Sequence, residues 1–154
     1  MGNLQFYSNG CEIFNTEHEV IENGSVLGPG DIFEEYCLGA PIKSYPSGTQ
    51  SLLTLPSVDQ DSVYYVFYQT LEYHSEFNNY SLWWHQLRYA RIDMTFNLGK
   101  GKVVERDYMV LDSTASGLLT AVKSADAHMG ICRILYILSS NARIDFRPVW
   151  NKVN

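Results

Sequence analysis

Leu4-Gln5-Phe6-Tyr7-Ser8-Asn9-Gly10-Cys11-Glu12-Ile13-Phe14-Asn15 sets the character of the whole chain. Two runs of alternating apolar residues flank Asn9-Gly10, a dipeptide that tolerates the positive φ angles of a type I′ turn, so the stretch predicts a β-hairpin. Glu19-Val20-Ile21 predicts a third short strand before Asn23-Gly24 turns the chain again. Outward from this hairpin the same grammar repeats. Aromatic residues make up 14% of the chain and fall in short runs separated by Asn-Gly, Gly-Pro and Asp/Ser clusters, the punctuation of an all-β protein.

Residues 51–56 and 63–68 are strand candidates joined by the turn-forming 57–62. The second, Val63-Tyr64-Tyr65-Val66-Phe67-Tyr68, is apolar on both faces and is therefore expected at the centre of a sheet. Residues 87–94 and 103–111 make a second hairpin across 97–102, and 118–122 is a further strand. Residues 131–138 fit a buried strand and one short helical face at Ile131, Ile134, Leu135 and Leu138 equally well. Residues 24–48, broken by Gly28-Pro29-Gly30, Pro41 and Pro46, read as a long loop, either a surface excursion or functional. Roughly eight or nine short strands at intervals of about 10–15 residues, without amphipathic helices between them, predict an antiparallel sandwich, barrel or propeller. A loose four-strand unit of about 45 residues has the length of a propeller blade.

The 154 residues make one domain or a piece of a larger one. With 45% hydrophobic and 18% charged residues, disorder and coiled coil are poor readings. The longest apolar run, 131–138, is interrupted by Arg133 and falls far short of the ~18 residues of a membrane span. A net charge of −6 with only 11 Lys and Arg argues against a nucleic-acid partner and against acidic substrates, because neither finds a basic face. Cys11, Cys37 and Cys132 are odd in number and lack C-x-x-C spacing, so neither a disulfide framework nor a zinc site is expected, and no cofactor is implied. Met1-Gly2-Asn3 leads directly into the first strand with no basic or hydrophobic leader region, so no signal peptide is expected in this chain.

Four ordered blocks carry a family resemblance. Gly2-Asn3-Leu4-Gln5-Phe6-Tyr7-Ser8-Asn9-Gly10, with Ile13-Phe14-Asn15 and His18-Glu19-Val20, resembles the "GNLLFYTDG…VWNxxHxxMxNG" segment of large surface proteins associated with bacterial gliding motility and type IX secretion. Thr49-Gln50-Ser51-Leu52-Leu53-Thr54-Leu55-Pro56 with Tyr64-Tyr65-Val66-Phe67 resembles "TQSALIVPxP…YYIFT". Leu87-Arg88-Tyr89-Ala90-Arg91-Ile92-Asp93-Met94 resembles "LRYSxIDM", and Leu119-Thr120-Ala121-Val122-Lys123 resembles "LTAVKH". The resemblance implies a partial β-propeller-like region over residues 1–125, with 126–154 a divergent or truncated tail of the same domain; at about 40–50 residues per blade the whole chain supplies about three blades. It implies an extracellular or cell-surface parent protein whose remaining blades would be this chain's partners. It assigns no catalytic residues.

Candidate chemistry is sparse. His18, His74, His85 and His128 form no H-E-x-x-H or other compact ligand pair and read as structural or surface histidines. Glu17-His18-Glu19 reads as a solvated turn or edge, since neighbours on a strand point to alternate faces. Cys37 lacks the local signature of a nucleophile, and Asp59 and Asp61 lack the glycine and terminal glutamate of a calcium loop. Residues 73–84, Tyr73-His74-Ser75-Glu76-Phe77-Asn78-Asn79-Tyr80-Ser81-Leu82-Trp83-Trp84, concentrate aromatics beside amides and carboxylates, the mixture that stacks on sugar rings and hydrogen-bonds their hydroxyls. Tyr80, Trp83 and Trp84 are the candidate ligand-binding residues; packing between sheets is the competing reading for the two indoles. The expectation is a non-enzymatic surface or secreted scaffold or adhesion module that takes a glycan or a surface protein. The alternative is an extracellular glycan-active enzyme or glycan-binding propeller domain, because a fold does not decide chemistry.

Overall fold

A computed structural model describes residues 4–46, 51–57, 59–76, 79–114, 119–123, 132–137 and 144–148. Its strands are β1 (Phe6–Ser8), β2 (Ile13–Asn15), β3 (Leu52–Pro56), β4 (Val63–Glu76), β5 (Asn79–Asp93), β6 (Lys102–Leu111), β7 (Leu119–Lys123), β8 (Cys132–Ile137) and β9 (Ile144–Pro148). They pair antiparallel in chain order as three sheets, β1-β2, β3-β4-β5-β6 and β7-β8-β9, and among the described residues no sheet closes on itself. The chain is all-β and antiparallel. No helix among the described residues is long and apolar enough to cross a membrane.

The middle sheet organises the rest because β4 is apolar on both faces. Val63, Tyr65 and Phe67 point one way and meet Leu87, Tyr89 and Leu119 at the start of β7. Val66 and Tyr68 point the other way and meet Ile13, Ile21 and Leu27, so the β1–β2 hairpin and the chain after it cover that face. β4 lies between β3 and β5, in the central position its composition predicts. Phe67 has no exposed surface at all. Asp107 ties the layers together, its Oδ1 accepting the Gly28 N–H at 2.9 Å and the Tyr68 hydroxyl at 2.5 Å. Burial, followed by the Asp107 charge, pushes the Tyr68 phenol far above its ordinary value.

The first hairpin forms with Phe6 opposite Asn15 and Ser8 opposite Ile13, but its loop holds four residues, 9–12, in place of a two-residue turn. Asn9 explains the difference: its Oδ1 accepts the N–H groups of Cys11 at 2.9 Å and Glu12 at 2.8 Å, an Asx turn that rounds the corner without positive φ at Asn9 itself. Gly10 alone of the pair takes positive φ, at 84°. The third short strand is reduced to a single bridge between Phe14 and Val20. Asn15 Oδ1 takes the N–H groups of Glu17 and Glu19 that a longer ladder would need.

Residues 24–48 are not simply loop. They contain α1 (Asp31–Phe33), continued by a π-wound turn over Glu34–Gly39, and Cys37 in that turn is bonded to Cys11 with Cα atoms 5.6 Å apart. The expectation of no disulfide is therefore corrected. Cysteine count and sequence spacing do not report which loops meet in space, and here the hairpin loop that carries Cys11 is brought against the helical turn. β8 resolves the strand-or-helix ambiguity in favour of strand, and β9 is an element the sequence pattern did not announce. The β7-β8-β9 sheet spans the boundary drawn at residue 125, with Lys123 opposite Cys132. The side chain of Cys132 and all of His128 lie outside the described residues.

Candidate functional site

β4 and β5 run well past the flanking strands β3 and β6, so residues 71–76 and 79–86 continue as a two-stranded ribbon. A register shift between Gln69 and Leu71 marks its base. Beyond the shift Leu71 faces Trp84, Glu72 faces Trp83, Tyr73 faces Leu82 and His74 faces Ser81. Directly opposed residues share a face and successive ones alternate, so Leu71, Tyr73, Leu82 and Trp84 lie on one side of the ribbon, with Glu72, His74, Ser81 and Trp83 on the other.

The first side is covered. Cys11, Ile32, Phe33, Cys37, Tyr45 and Leu71 form a buried cluster against which Leu82 and Trp84 pack half-buried. The Tyr45 hydroxyl accepts the Leu71 N–H at 2.9 Å and fixes the cover to the ribbon base. Tyr73 is exposed at the rim, where its hydroxyl donates a short hydrogen bond to the Glu35 carboxylate; that bond is the main cause that pushes its phenol up to about 12.

The second side is open. Trp83 is 48% exposed, and its indole lies nearly parallel to the His74 ring with centroids 4.2 Å apart. Its Nε1–H donates to Ser81 Oγ at 2.9 Å. The ring is thus held in one orientation by a stack and a hydrogen bond while much of its surface meets solvent. Such a fixed aromatic face can accept the apolar C–H face of a sugar without first being ordered.

Of the residues expected at a binding surface, Trp83 alone offers an exposed indole, Trp84 packs beneath the disulfide-tied cover, and the Tyr80 side chain lies outside the described residues. His74 was read as a scattered histidine, yet it is the ring beneath Trp83. Only the hairpin register, with His74 opposite Ser81 and next to Trp83, shows that partnership. The other candidates fall elsewhere. Cys37 is in a disulfide and offers no thiol nucleophile. His18 Nδ1 lies 3.0 Å from the Tyr7 hydroxyl at the surface, and its neighbours Glu17 and Glu19 both bind the Lys100 ammonium, at 2.7 and 2.9 Å. Asp59 and Asp61 are exposed in the β3–β4 turn. Among the described residues no group of three or more His, Cys, Asp or Glu side chains is placed to hold a metal ion.

No protein-family model matches the chain, and comparison with curated proteins and with solved structures returns no match.

Proposed function

We propose that this chain is a non-enzymatic surface or secreted scaffold and adhesion module that binds glycan through Trp83, built as a partial β-propeller of about three blades. The observation that carries the binding role is the exposed Trp83 indole, locked between His74 and Ser81 on a ribbon that projects beyond the three-sheet core. Three successive antiparallel sheets support the propeller reading, since β3-β4-β5-β6 is a four-stranded meander like a blade, with neighbours on both faces as blades have. The remaining blades of a longer parent protein are its proposed partners. The Cys11–Cys37 bond supports an extracellular or cell-surface setting, because such bonds persist where surroundings are oxidising. The link to gliding motility or type IX secretion rests on the four sequence blocks alone.

A glycan array probed with the purified chain tests the binding role. Trp83→Ala should abolish array binding and leave the melting temperature nearly unchanged, as expected for an exposed side chain. Trp84→Ala should keep binding and lose roughly 2 kcal/mol of stability, since its indole packs against the buried cluster. Unchanged array binding by Trp83→Ala refutes the platform, and turnover of a bound glycan refutes the non-enzymatic reading in favour of a glycan-active enzyme.

A further inference from the structure

The geometry points to a second binding site, for one neutral pyranose unit, in the cleft between residues 28–33 and the β4–β5 bulge. Trp83 does not line this cleft, so the assignment stands apart from the platform described above. The cleft has a volume of about 430 Å³, within the roughly 300–1,000 Å³ of small-molecule sites. It sits at a bulge, where the change of register re-aims the side chains on either side of it.

Its walls are fixed from both sides. Phe33 and Tyr45 are buried apolar surface, and Tyr45 is held to the Leu71 N–H at the bulge. Tyr73 brings an exposed ring whose hydroxyl is anchored on Glu35, a surface on which a sugar ring can stack without costing the protein side-chain freedom.

The polar groups are mixed in sign. Asp31 supplies a carboxylate acceptor, while the Glu72 carboxylate, on the Trp83 side of the ribbon, lies 3.5 Å from His85 Nδ1. Arg88 supplies donors: Nε and one terminal nitrogen bind Gln86 Oε1 at 3.0 and 2.5 Å, which orients the guanidinium and leaves three of its five N–H groups not taken by Gln86. A carboxylate and a guanidinium together suit hydroxyl groups, each of which donates and accepts. One carboxylate and one guanidinium balance, so neither an anion nor a cation is favoured and an uncharged polyol ring is the ligand class that leaves fewest groups unpaired.

The test is isothermal titration of the purified chain with methyl glucoside, methyl galactoside and methyl mannoside, beside methyl glucuronoside as the anionic control. At least one neutral glycoside should bind and outcompete the glucuronoside. Asp31→Asn and Arg88→Met should each weaken it by about tenfold, the loss of one charge-assisted hydrogen bond. Trp83→Ala should change it by less than about threefold. Asp31 is exposed, so its amide variant keeps the fold, and Arg88→Lys replaces Arg88→Met should the latter fail to melt cooperatively. Three results overturn the assignment: no heat with any neutral probe, equal or tighter binding of the glucuronoside, or full affinity in both cleft variants. In the last case, loss of affinity in Trp83→Ala would leave the platform standing and remove the cleft.

Discussion

Removing the Cys11–Cys37 bond should cost more stability than any surface change in this chain. The two half-cystines are 26 residues apart in sequence. Closing a loop of that length in the unfolded chain costs about 12 cal/mol/K, or ~3.5 kcal/mol at 25 °C, on the loop-entropy relation, and reduction returns that freedom to the unfolded state alone. Both residues are 1% exposed or less and sit in the cluster with Ile32, Phe33, Tyr45 and Leu71, so the bond also holds the cover over Trp84. At about 2–4 °C per kcal/mol for a chain of this size, the double variant Cys11→Ala/Cys37→Ala should melt roughly 7–14 °C lower by calorimetry. The parent treated with a phosphine reductant should fall by a similar amount, and the double variant should not respond to reductant. Tryptophan emission should shift to the red in the variant as the cover loosens over Trp84. By count, two of three cysteines are bonded, so the denatured, unreduced chain should titrate as one thiol. Three titratable thiols, or a variant melting within about 2 °C of the parent, would refute the reasoning.

Gly10→Val should destabilise by at least about 2 kcal/mol, read from the urea midpoint, because the position needs φ of 84° and a Cβ there meets Tyr45 Cβ at 2.8 Å; an unmoved midpoint would mean that the loop is built otherwise. Acidification should also destabilise. Glu19 is held below its ordinary 4.5 by the Lys100 hydrogen bond, Glu22 likewise by Lys102, and Asp93 below 3.8 by Thr95. A carboxyl depressed on folding stabilises above its unfolded value and loses that contribution as pH falls through its folded value, so the urea midpoint should drop from about pH 4.5 downward. Lys100→Met should shallow that slope, and a midpoint independent of pH over this range would count against these pairings.

The strands were legible where one physical signal acted alone. Val63-Tyr64-Tyr65-Val66-Phe67-Tyr68 has no polar face, and a segment with no polar face has to be covered on both sides; its central position follows from that alone. Where a side chain competed with the backbone, the pattern misled. Asn9 and Asn15 each spend Oδ1 on two backbone N–H groups, lengthening one turn and cutting short a strand that alternation had predicted. Ile32, Phe33, Tyr36 and Cys37 do carry helical spacing, but over so short a run that the prolines and glycines on either side outweighed it.

The site was legible as composition and illegible as geometry. Residues 73–84 advertise aromatics beside polar groups, yet Trp83 and Trp84 cannot share a role, because adjacent positions on a strand face opposite ways. Which of them meets solvent is settled by what covers the ribbon, and the cover is assembled from Cys11, Ile32, Phe33, Cys37 and Tyr45, all distant in sequence. Parity then decides the rest. Leu71 opposite Trp84 assigns that indole to the covered face, and Glu72 opposite Trp83 assigns the other to the open one. The shift between Gln69 and Leu71 comes at the base of the ribbon, so alternation counted forward from the core strand 63–68 would put Leu71 on the face of Phe67, away from the cover it packs against. A single irregularity in a ladder thus decides which tryptophan is available to a ligand.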